Sequence, residues 1–331
     1  MANRPFEQAI TLLTRHATLL IFVGILVYFG VQSLGFLSPE NLSNVVKQAS
    51  FIGIVAVGMV FVLLTAGIDL SVGSVMYLAP LIAGILIRDY GIGVYVGLAV
   101  AIFAGALMGA INAFLVVVLR IIPFIVTLST LFFFRGFGTF LTGSRALDFP
   151  DEVREFGLSN VFGIPIPIII FALVAIAGHI VLSRTTFGRQ VYATGNDPEA
   201  ARKAGINTAF VRARVYVICS ACAGLGGYIL IAQIGRLDTA FGEGREFDVI
   251  AAAVLGGASL FGGMGTAFSA VIGATMIQLV KTGLVYTGVN LYLQPMMQGG
   301  IILLAVFLDS IREIRIEEIK RRFIRPLKPP S

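Results

Sequence analysis

Apolar runs long enough to cross a lipid bilayer follow one another along almost the whole chain. A helix needs about 20 mostly apolar residues to cross the hydrocarbon core, and the run from Ala17 to Phe36 is one of several that reach this length. Charged residues make up 13% of the chain, whereas soluble domains carry roughly 25%. This charge content is too low for a surface that faces water. The sequence therefore predicts an all-α fold, a polytopic bundle of transmembrane helices.

Hydropathy divides the chain into ten predicted spans. The first run is too long for the apolar region of a signal peptide and lacks a small-x-small cleavage site, so we interpret it as an uncleaved span. The predicted spans lie at residues 17–36, 49–66, 71–88, 93–119, 121–142, 164–183, 211–235, 248–262, 266–285 and 293–309.

Loop charges set the predicted orientation of these spans. Residues 184–214 hold six basic and two acidic residues, and the tail from Asp309 onward holds seven basic and four acidic residues. Residues 143–162 and 236–248 each hold two basic and four acidic residues. Because basic loops favour the cytoplasm, ten spans with both termini inside place the basic segments in the cytoplasm and the acidic loops outside.

The same charges also indicate the domain organisation and the kind of partner. The net charge of +6 belongs to the basic loops of a membrane protein, so it indicates contact with the lipid bilayer and not with nucleic acid. We expect a single membrane domain over residues 1–331, with a cytoplasmic loop at 184–210 and a basic cytoplasmic tail at 310–331.

Small residues recur every four positions along the fourth predicted span. Residues four apart share one ridge of a helix, and small side chains let a neighbouring backbone approach closely where lipid offers no hydrophobic drive. We expect this ridge to serve helix packing, at Gly97, Gly105 and Gly109 above all, and not to bind a ligand. Its members are Gly93, Gly97, Ala101, Gly105, Gly109 and Ala113.

Two glycine-rich segments suggest an internal repeat. "GIDLSVG" (Gly67–Gly73) and "GASLFGG" (Gly257–Gly263) share Gly, Leu and Gly at matching positions, and each follows one apolar run and precedes another. Transporters are often built from duplicated halves with glycine-interrupted helices near the transport route. In the predicted topology both segments lie toward the cytoplasm, so the two halves run in the same sense.

Asp69, in "LTAGIDLSVGS", admits two interpretations. If the segment lies at the cytoplasmic surface, Asp69 caps the helix that begins at Leu70 and accepts hydrogen bonds from its first turn. If the segment is a broken helix deeper in the bundle, the same acid lines the permeation route, because acids inside membranes are costly and tend to be functional.

Further polar residues lie within the predicted spans. They suit a polar passage, but Ser and Thr hydroxyls also bond back to their own helices, so a structural role stays open. The candidates for a translocation path are Asp69, Ser71, Asn112, Thr127, Ser129 and Arg135, with Thr130 as a further polar position in the fifth span.

Several chemistries find no support in the sequence. A nucleotide-binding P-loop needs Gly-x-x-x-x-Gly-Lys-Ser/Thr, and Lys281–Thr282 is preceded by Thr275 and Val280 where that motif requires glycine. Cys219 and Cys222 have no second pair and lie in an apolar run, which favours packing over a metal or redox site. The spans lack the paired acids that ion-coupled carriers use, and no enzyme motif is present. We expect no cofactor or metal in this chain.

The segment "GRQVYATGNDPEAARKAGIN" (Gly188–Asn207) is polar and carries the signals of a short helix. Asn196 or Asp197 suits the N-cap of this helix, and Pro198 suits its first position. Glu199 places a negative charge in the first turn, and Gly205 can end the helix in the left-handed conformation. Such a helix either docks into a partner or lies on lipid headgroups through its basic residues. The residues concerned are Gly195, Asn196, Asp197, Pro198, Glu199, Ala200, Arg202, Lys203 and Gly205.

Four segments resemble the permeases of bacterial ATP-binding-cassette (ABC) importers for ribose, arabinose or xylose, within the wider branched-chain permease family. They are "GIVAVGMVFVLLTAGIDLSVGSV", "GALMGAINAFLVVVLRIIPFIVTLSTLFFFRG", "RTTFGRQVYATGNDPEAARKAGI" and "FDVIAAAVLGGASLFGGMGT". They occur in the family's order, and the resemblance extends from about residue 50 to 310. The chain departs from the family's common pattern at Ala113, where relatives often have glycine after the asparagine.

This resemblance implies a multi-pass protein of the bacterial inner membrane that is not itself an enzyme. It implies a second permease copy, identical or homologous, two cytoplasmic ATPase domains that hold ATP and Mg, and a periplasmic or lipid-anchored sugar-binding protein. By the same resemblance, residues 196–205 form the coupling helix that sits in a cleft of the ATPase. Loops 143–162 and 236–248 become candidates for receiving the binding protein. Polyols, furanoses or branched-chain amino acids stay open as solutes, and an ion-coupled carrier is the alternative class.

Overall fold

The computed structural model describes residues 17–293, 295–297, 299–300, 303 and 307, and these are overwhelmingly helical. The helices are α1 (Ala17–Gln32), α2 (Pro39–Leu64), α3 (Val72–Tyr90), α4 (Val94–Ala113), α5 (Pro123–Thr142), α6 (Asp151–Leu158), α7 (Ile166–Arg184), α8 (Thr186–Asn196), α9 (Pro198–Lys203), α10 (Thr208–Ile234), α11 (Arg245–Leu255) and α12 (Ala267–Tyr286). Short 3₁₀ turns occupy Leu34–Leu37 and Leu291–Leu293, and a π turn at Phe114–Val118 extends α4.

Seven helices in the described part of the chain are long and apolar enough to cross a membrane. They are α2, α3, α4 with its π turn, α5, α7, α10 and α12. Since the long apolar helices pack into one bundle, the chain is a polytopic helical membrane protein, as its hydropathy predicts. The described part of α1 has 16 residues, and most of the predicted span 293–309 and all of the tail 310–331 lie outside the described residues.

The structure differs from the prediction at residues 248–262. Helix α11 has 11 residues, which at 1.5 Å per residue covers roughly half of the hydrocarbon core. Glycines with positive φ at 257, 262 and 263 then break the helix, so this segment is a half-helix followed by a loop and not one continuous span. Hydropathy does not detect the break because the residues of the loop are as apolar as those of the helix.

Helix α2 begins ten residues before the predicted span at residue 49. The Ser38 side chain accepts a hydrogen bond from the Asn41 amide, and Pro39 occupies the first position of the helix. Both features favour a helix start. The polar first turns of α2 therefore belong to the helix although they are not apolar enough to be read as membrane-crossing.

Helices α2, α3 and α10 form the buried centre of the bundle, and the other long helices surround them. Strand β1 (Leu147–Asp148) pairs antiparallel with β4 (Arg236–Leu237), which joins the loops 143–162 and 236–248 at one end, here called the loop end. Strands β2 (Asn160–Val161) and β3 (Ile164–Pro165) form a second small hairpin there.

Helices α8 and α9 lie at the other end of the bundle, here called the cassette end. The 27 residues of α10 separate them from β4 by roughly 40 Å. The acidic loops and the basic segment 184–214 are thus at opposite ends, which agrees with the charge pattern.

The small-residue ridge of α4 packs directly on α10. An added Cβ at Gly105 would overlap the Ser220 carbonyl of α10, and one at Gly109 would lie 2.6 Å from the Tyr216 carbonyl. An added Cβ at Gly97 would lie 3.1 Å from the Tyr228 hydroxyl, which donates a hydrogen bond to the Val94 carbonyl. The two helix backbones are therefore in contact along most of their length, which only small residues permit.

We expect Gly105→Leu to lower the free energy of unfolding by at least about 1–3 kcal/mol, because its side chain must displace the α10 backbone. The matched control is Gly136→Leu, which adds the same side chain to α5 where nothing lies within 4 Å. Denaturant unfolding of the detergent-purified chain measures both. Equal unfolding free energies for the two variants would contradict the packing role of the ridge.

Candidate coupling surface and buried polar network

The polar segment after α7 forms two short helices, and Asp197 separates them. Its side chain caps α9 by accepting hydrogen bonds from the Glu199 amide (2.9 Å) and the Ala200 amide (3.0 Å). Asn196 ends α8 instead of capping α9, and Gly205 follows α9 with φ of +85°. The local signals in the sequence thus lead to a short capped helix whose first position is Pro198.

Helix α9 projects from the cassette end with almost all of its side chains exposed. Ala201 is the buried residue of the helix and holds it against the bundle. Glu199 and Arg202 form an ion pair at 3.9 Å with side chains 76% and 72% exposed, and pairs this exposed contribute little to stability. The outer face of α9 is therefore free to contact another molecule.

Helix α8 carries α9 and is held firmly at its base. Its cap is Thr185, whose hydroxyl accepts from the Gly188 amide (3.1 Å), and Val191 and Thr194 are buried. The Arg214 guanidinium of α10 lies 5.6 Å from the ring centroid of Phe187 and 3.9 Å from that of Phe210. These cation–π contacts fix α8 to the start of α10.

The end of α8 contacts two segments, the end of α2 and the loop after α11. The Tyr192 hydroxyl donates to the Gly265 carbonyl (2.7 Å), and Gly195 lies directly against the Leu64 carbonyl. Burial raises the pKa of the Tyr192 hydroxyl, so it stays protonated and available as a donor. The Gly263 amide in turn donates to the Leu64 carbonyl (3.0 Å), which joins the two segments to each other.

A buried polar network follows Leu64 along the chain. Asp69 accepts from the amide (2.9 Å) and the hydroxyl (2.6 Å) of Ser71, and also from the Ser220 hydroxyl (3.4 Å). The Asn112 amide donates to the Ser71 hydroxyl, and the Thr130 hydroxyl donates to the Asn112 carbonyl, each at 2.8 Å. Four elements are linked: the segment 65–71, α4, α5 and α10.

Asp69 lies inside the bundle and not on an exposed surface, and it still accepts a hydrogen bond from the backbone of the turn that leads into α3. The residue is 0% exposed, and α3 begins at Val72 without a side-chain cap. Its carboxylate instead closes the local turn at Ser71 and reaches across to Ser220 on α10.

The other candidates for a translocation path occupy three different settings. Thr127 is buried beside the network and donates to the Pro123 carbonyl (3.0 Å) and the Ile68 carbonyl (3.4 Å). Ser129 is exposed and bonds back to Ile125 of its own helix (2.8 Å). Arg135 lies nearer the loop end and donates to the carbonyls of Thr239 (2.8 Å) and Phe241 (3.2 Å). The structure thus brings Thr127 to the network but not Ser129 or Arg135.

Sequence reasoning missed an ion cluster near the loop end. Asp248 of α11 is buried and accepts from Lys281 of α12 (2.7 Å) and from Arg245 (3.1 Å). Lys281 lies inside a membrane-crossing helix, and an intramembrane charge needs a partner. That lone lysine in the predicted span 266–285 was the signal that a buried acid had to lie nearby.

The cysteines pack as small core residues. Cys219 is buried, and Gly58 of α2 lies against Cys219 and Cys222 of α10. Over the described residues, no group of three or more His, Cys, Asp or Glu side chains is placed to hold a metal ion.

Comparison with known proteins identifies the family. Residues 41–306 match the family model described as the permease component of branched-chain amino acid transport systems. No solved structure matches the chain.

Several similar proteins are sugar permeases. The chain is 34% identical to the ribose import permease protein RbsC of Escherichia coli K12, over 91% of this chain and 95% of that protein. It is 33% identical to the D-allose transport system permease protein AlsC of the same strain (93% and 95%). It is 32% identical to the galactose/methyl galactoside import permease protein MglC of Salmonella typhimurium LT2, over 91% of this chain and 94% of that protein. The chain therefore belongs to this family of transport-system permease components.

Proposed function

We propose that this chain is the membrane-spanning subunit of a bacterial ABC importer that moves a monosaccharide of the pentose or hexose class into the cytoplasm. The observation that carries the proposal is similarity over nine-tenths of the chain to import permeases for ribose, allose and galactose. The exposed, well-capped α9 adds a surface that suits a partner protein. The proposal places the chain in the inner membrane with both termini in the cytoplasm, as one permease domain over residues 1–331.

The proposal assigns energy supply and solute delivery to other proteins. A second permease copy completes the membrane unit, and a cytoplasmic ATPase holds ATP and Mg, since this chain has no P-loop. A periplasmic or lipid-anchored binding protein delivers the sugar at the loop end, to the acidic loops 143–162 and 236–248.

In this proposal α9 is the coupling helix. Its exposed pair Glu199 and Arg202 presents one negative and one positive charge at the outer face. A groove on the ATPase with complementary charges recognises this face, and ATP-driven closure of the groove displaces α8 and α9 together. The loop 184–210 is thereby the cytoplasmic contact of the permease.

The buried polar network supports the protein beside the proposed path of the solute. Asp69, Ser71, Asn112 and Thr127 are fully buried and bonded, so in this conformation they hold segment 65–71 in place. We propose that the solute passes beside this segment once the bundle tilts.

We expect the double variant Glu199→Lys with Arg202→Glu to lower the amount of co-purifying ATPase about tenfold, equal to about 1.4 kcal/mol of binding free energy. Reversing both charges keeps an ion pair within α9 but opposes the partner's charges. The measurement is quantitative mass spectrometry of the tagged complex, with ATP-dependent sugar uptake in liposomes.

The matched control reverses an exposed ion pair at the loop end, Asp148 with Arg236, which lie 3.8 Å apart. This control keeps the ATPase bound. If the α9 variant keeps it too, α9 is not the coupling helix. Purification of the unaltered chain alone, with uptake that needs no ATP but fails with a proton or sodium ionophore, would overturn the ABC assignment in favour of an ion-coupled carrier.

A second prediction concerns the network as a support. We expect Asn112→Ala and Thr130→Val each to lower the free energy of unfolding by about 1–3 kcal/mol, because each leaves a buried polar group without its partner. In the double variant the losses are not additive, since both remove one hydrogen bond. Ser129→Ala, on the exposed face of α5, changes stability by less than about 0.5 kcal/mol. Additive losses would show that the bond does not couple α4 to α5.

A further inference from the structure

Three segments meet behind the exposed helix α9. They are the end of α8 (192–196), the turn at 65–71 that follows α2, and the turn at 256–266 that follows α11. We call the turn at 65–71 the first turn and the turn at 256–266 the second turn. The place where all three segments meet is called the junction. The first turn joins α2 to α3, and the second joins α11 to α12, so a shift of either turn moves the helices that flank it.

Helix α8 contacts both turns with different atoms. Tyr192 reaches the second turn through its hydroxyl, which donates to the Gly265 carbonyl at 2.7 Å. Gly195 abuts the end of α2 so closely that an added Cβ would overlap the Leu64 carbonyl. The absence of a side chain at 195 is therefore a condition for the contact with the start of the first turn.

The two turns are also fastened to each other. The Gly263 amide donates to the Leu64 carbonyl at 3.0 Å. An added Cβ at Gly262 would lie 3.1 Å from the Ala66 amide nitrogen and 3.0 Å from the Gly195 carbonyl, so the backbones of all three segments lie close together. Closely packed backbone has little room to deform, and the three segments form one rigid contact.

Each turn leads from the junction to different helices. The first turn ends in the network of Asp69 and Ser71, which binds α4, α5 and α10 through Asn112, Thr130 and Ser220. The second turn leads into α12, whose start is fixed by the capping box of Thr266 and Ser269. One small segment of α8 is thus connected to most of the membrane-crossing helices.

We propose that Tyr192 and Gly195 are positioning residues that make α8 move both turns as one unit, so that displacement of α9 reaches the two halves of the bundle together. This inference rests on the proposed function, because it needs an ATPase that displaces α9. It adds to that function the path by which the displacement enters the bundle: through Leu64 to the first turn, and through Gly265 to the second.

The test is Tyr192→Phe in the complete complex, with Tyr90→Phe as the matched control. Phenylalanine keeps the ring and removes the hydroxyl that binds Gly265, whereas Tyr90 is exposed at the end of α3 and 76% accessible. Complexes of permease, ATPase and binding protein are placed in liposomes with whichever of ribose, allose, xylose or galactose the unaltered complex takes up. The number of sugars imported per ATP hydrolysed is measured for equal amounts of assembled complex.

We expect Tyr192→Phe to keep its ATPase bound and hydrolysing while the ratio of imported sugar to ATP falls about fivefold, the factor typical of one hydrogen bond. The control keeps the ratio of the unaltered complex. A role confined to stability would lower the yield of complex but not this ratio.

The outcomes separate the two levels of the proposal. An unchanged ratio in Tyr192→Phe overturns the positioning role and leaves the proposed function intact. If the unaltered chain binds no ATPase or takes up none of the four sugars with ATP, the proposed function is wrong, and the inference falls with it.

Discussion

The hydrogen bond from the Gly263 amide to the Leu64 carbonyl is the contact on which the interior of this protein depends. Inside a bilayer no water is available to satisfy backbone groups, so a helix can be interrupted only where protein supplies the missing partners. Leu64 lies in the last turn of α2, where carbonyls lack partners within their own helix. The second turn supplies an amide at that point. The end of α2 and the turn after α11 therefore satisfy each other's backbone groups.

The same constraint explains why glycine recurs wherever elements cross. Lipid tails are as apolar as the helices they surround, so helices associate through close packing and not through exclusion of water. At Gly105 on α4 and Gly195 on α8, the neighbouring backbone carbonyl occupies the space that a side chain would need. Gly136 on α5 faces open space instead, which shows that the apolar helices also use glycine without such a contact. Whether a glycine is required for helix packing therefore depends on whether a neighbouring backbone lies against it.

The sequence predicted those features that depend on local chemistry. The apolar runs led to the helical membrane bundle, and the cap at Asp197 with Pro198 and Gly205 led to a short helix in the right place. The prediction of a continuous span at 248–262 was wrong because hydropathy cannot distinguish an apolar helix from an apolar loop that is stabilised by another segment. The depth of Asp69 was equally hidden, since its partner Ser220 is 151 positions away and meets it only after folding. Asn112, which donates to the neighbouring Ser71, is 41 positions from that serine.

As the proposed coupling helix, α9 needs a support as rigid as the junction. It has six residues, and isolated helices shorter than about 12–15 residues are marginal in water. Its ion pair is exposed and its own contact with the bundle is Ala201, so α9 alone would yield to any force applied to it. The support comes from α8, whose base lies under Arg214 and whose end lies against Leu64 and Gly265. A free outer face and a fixed inner attachment are the two conditions for passing a displacement from one protein into another, and the chain meets them in consecutive helices.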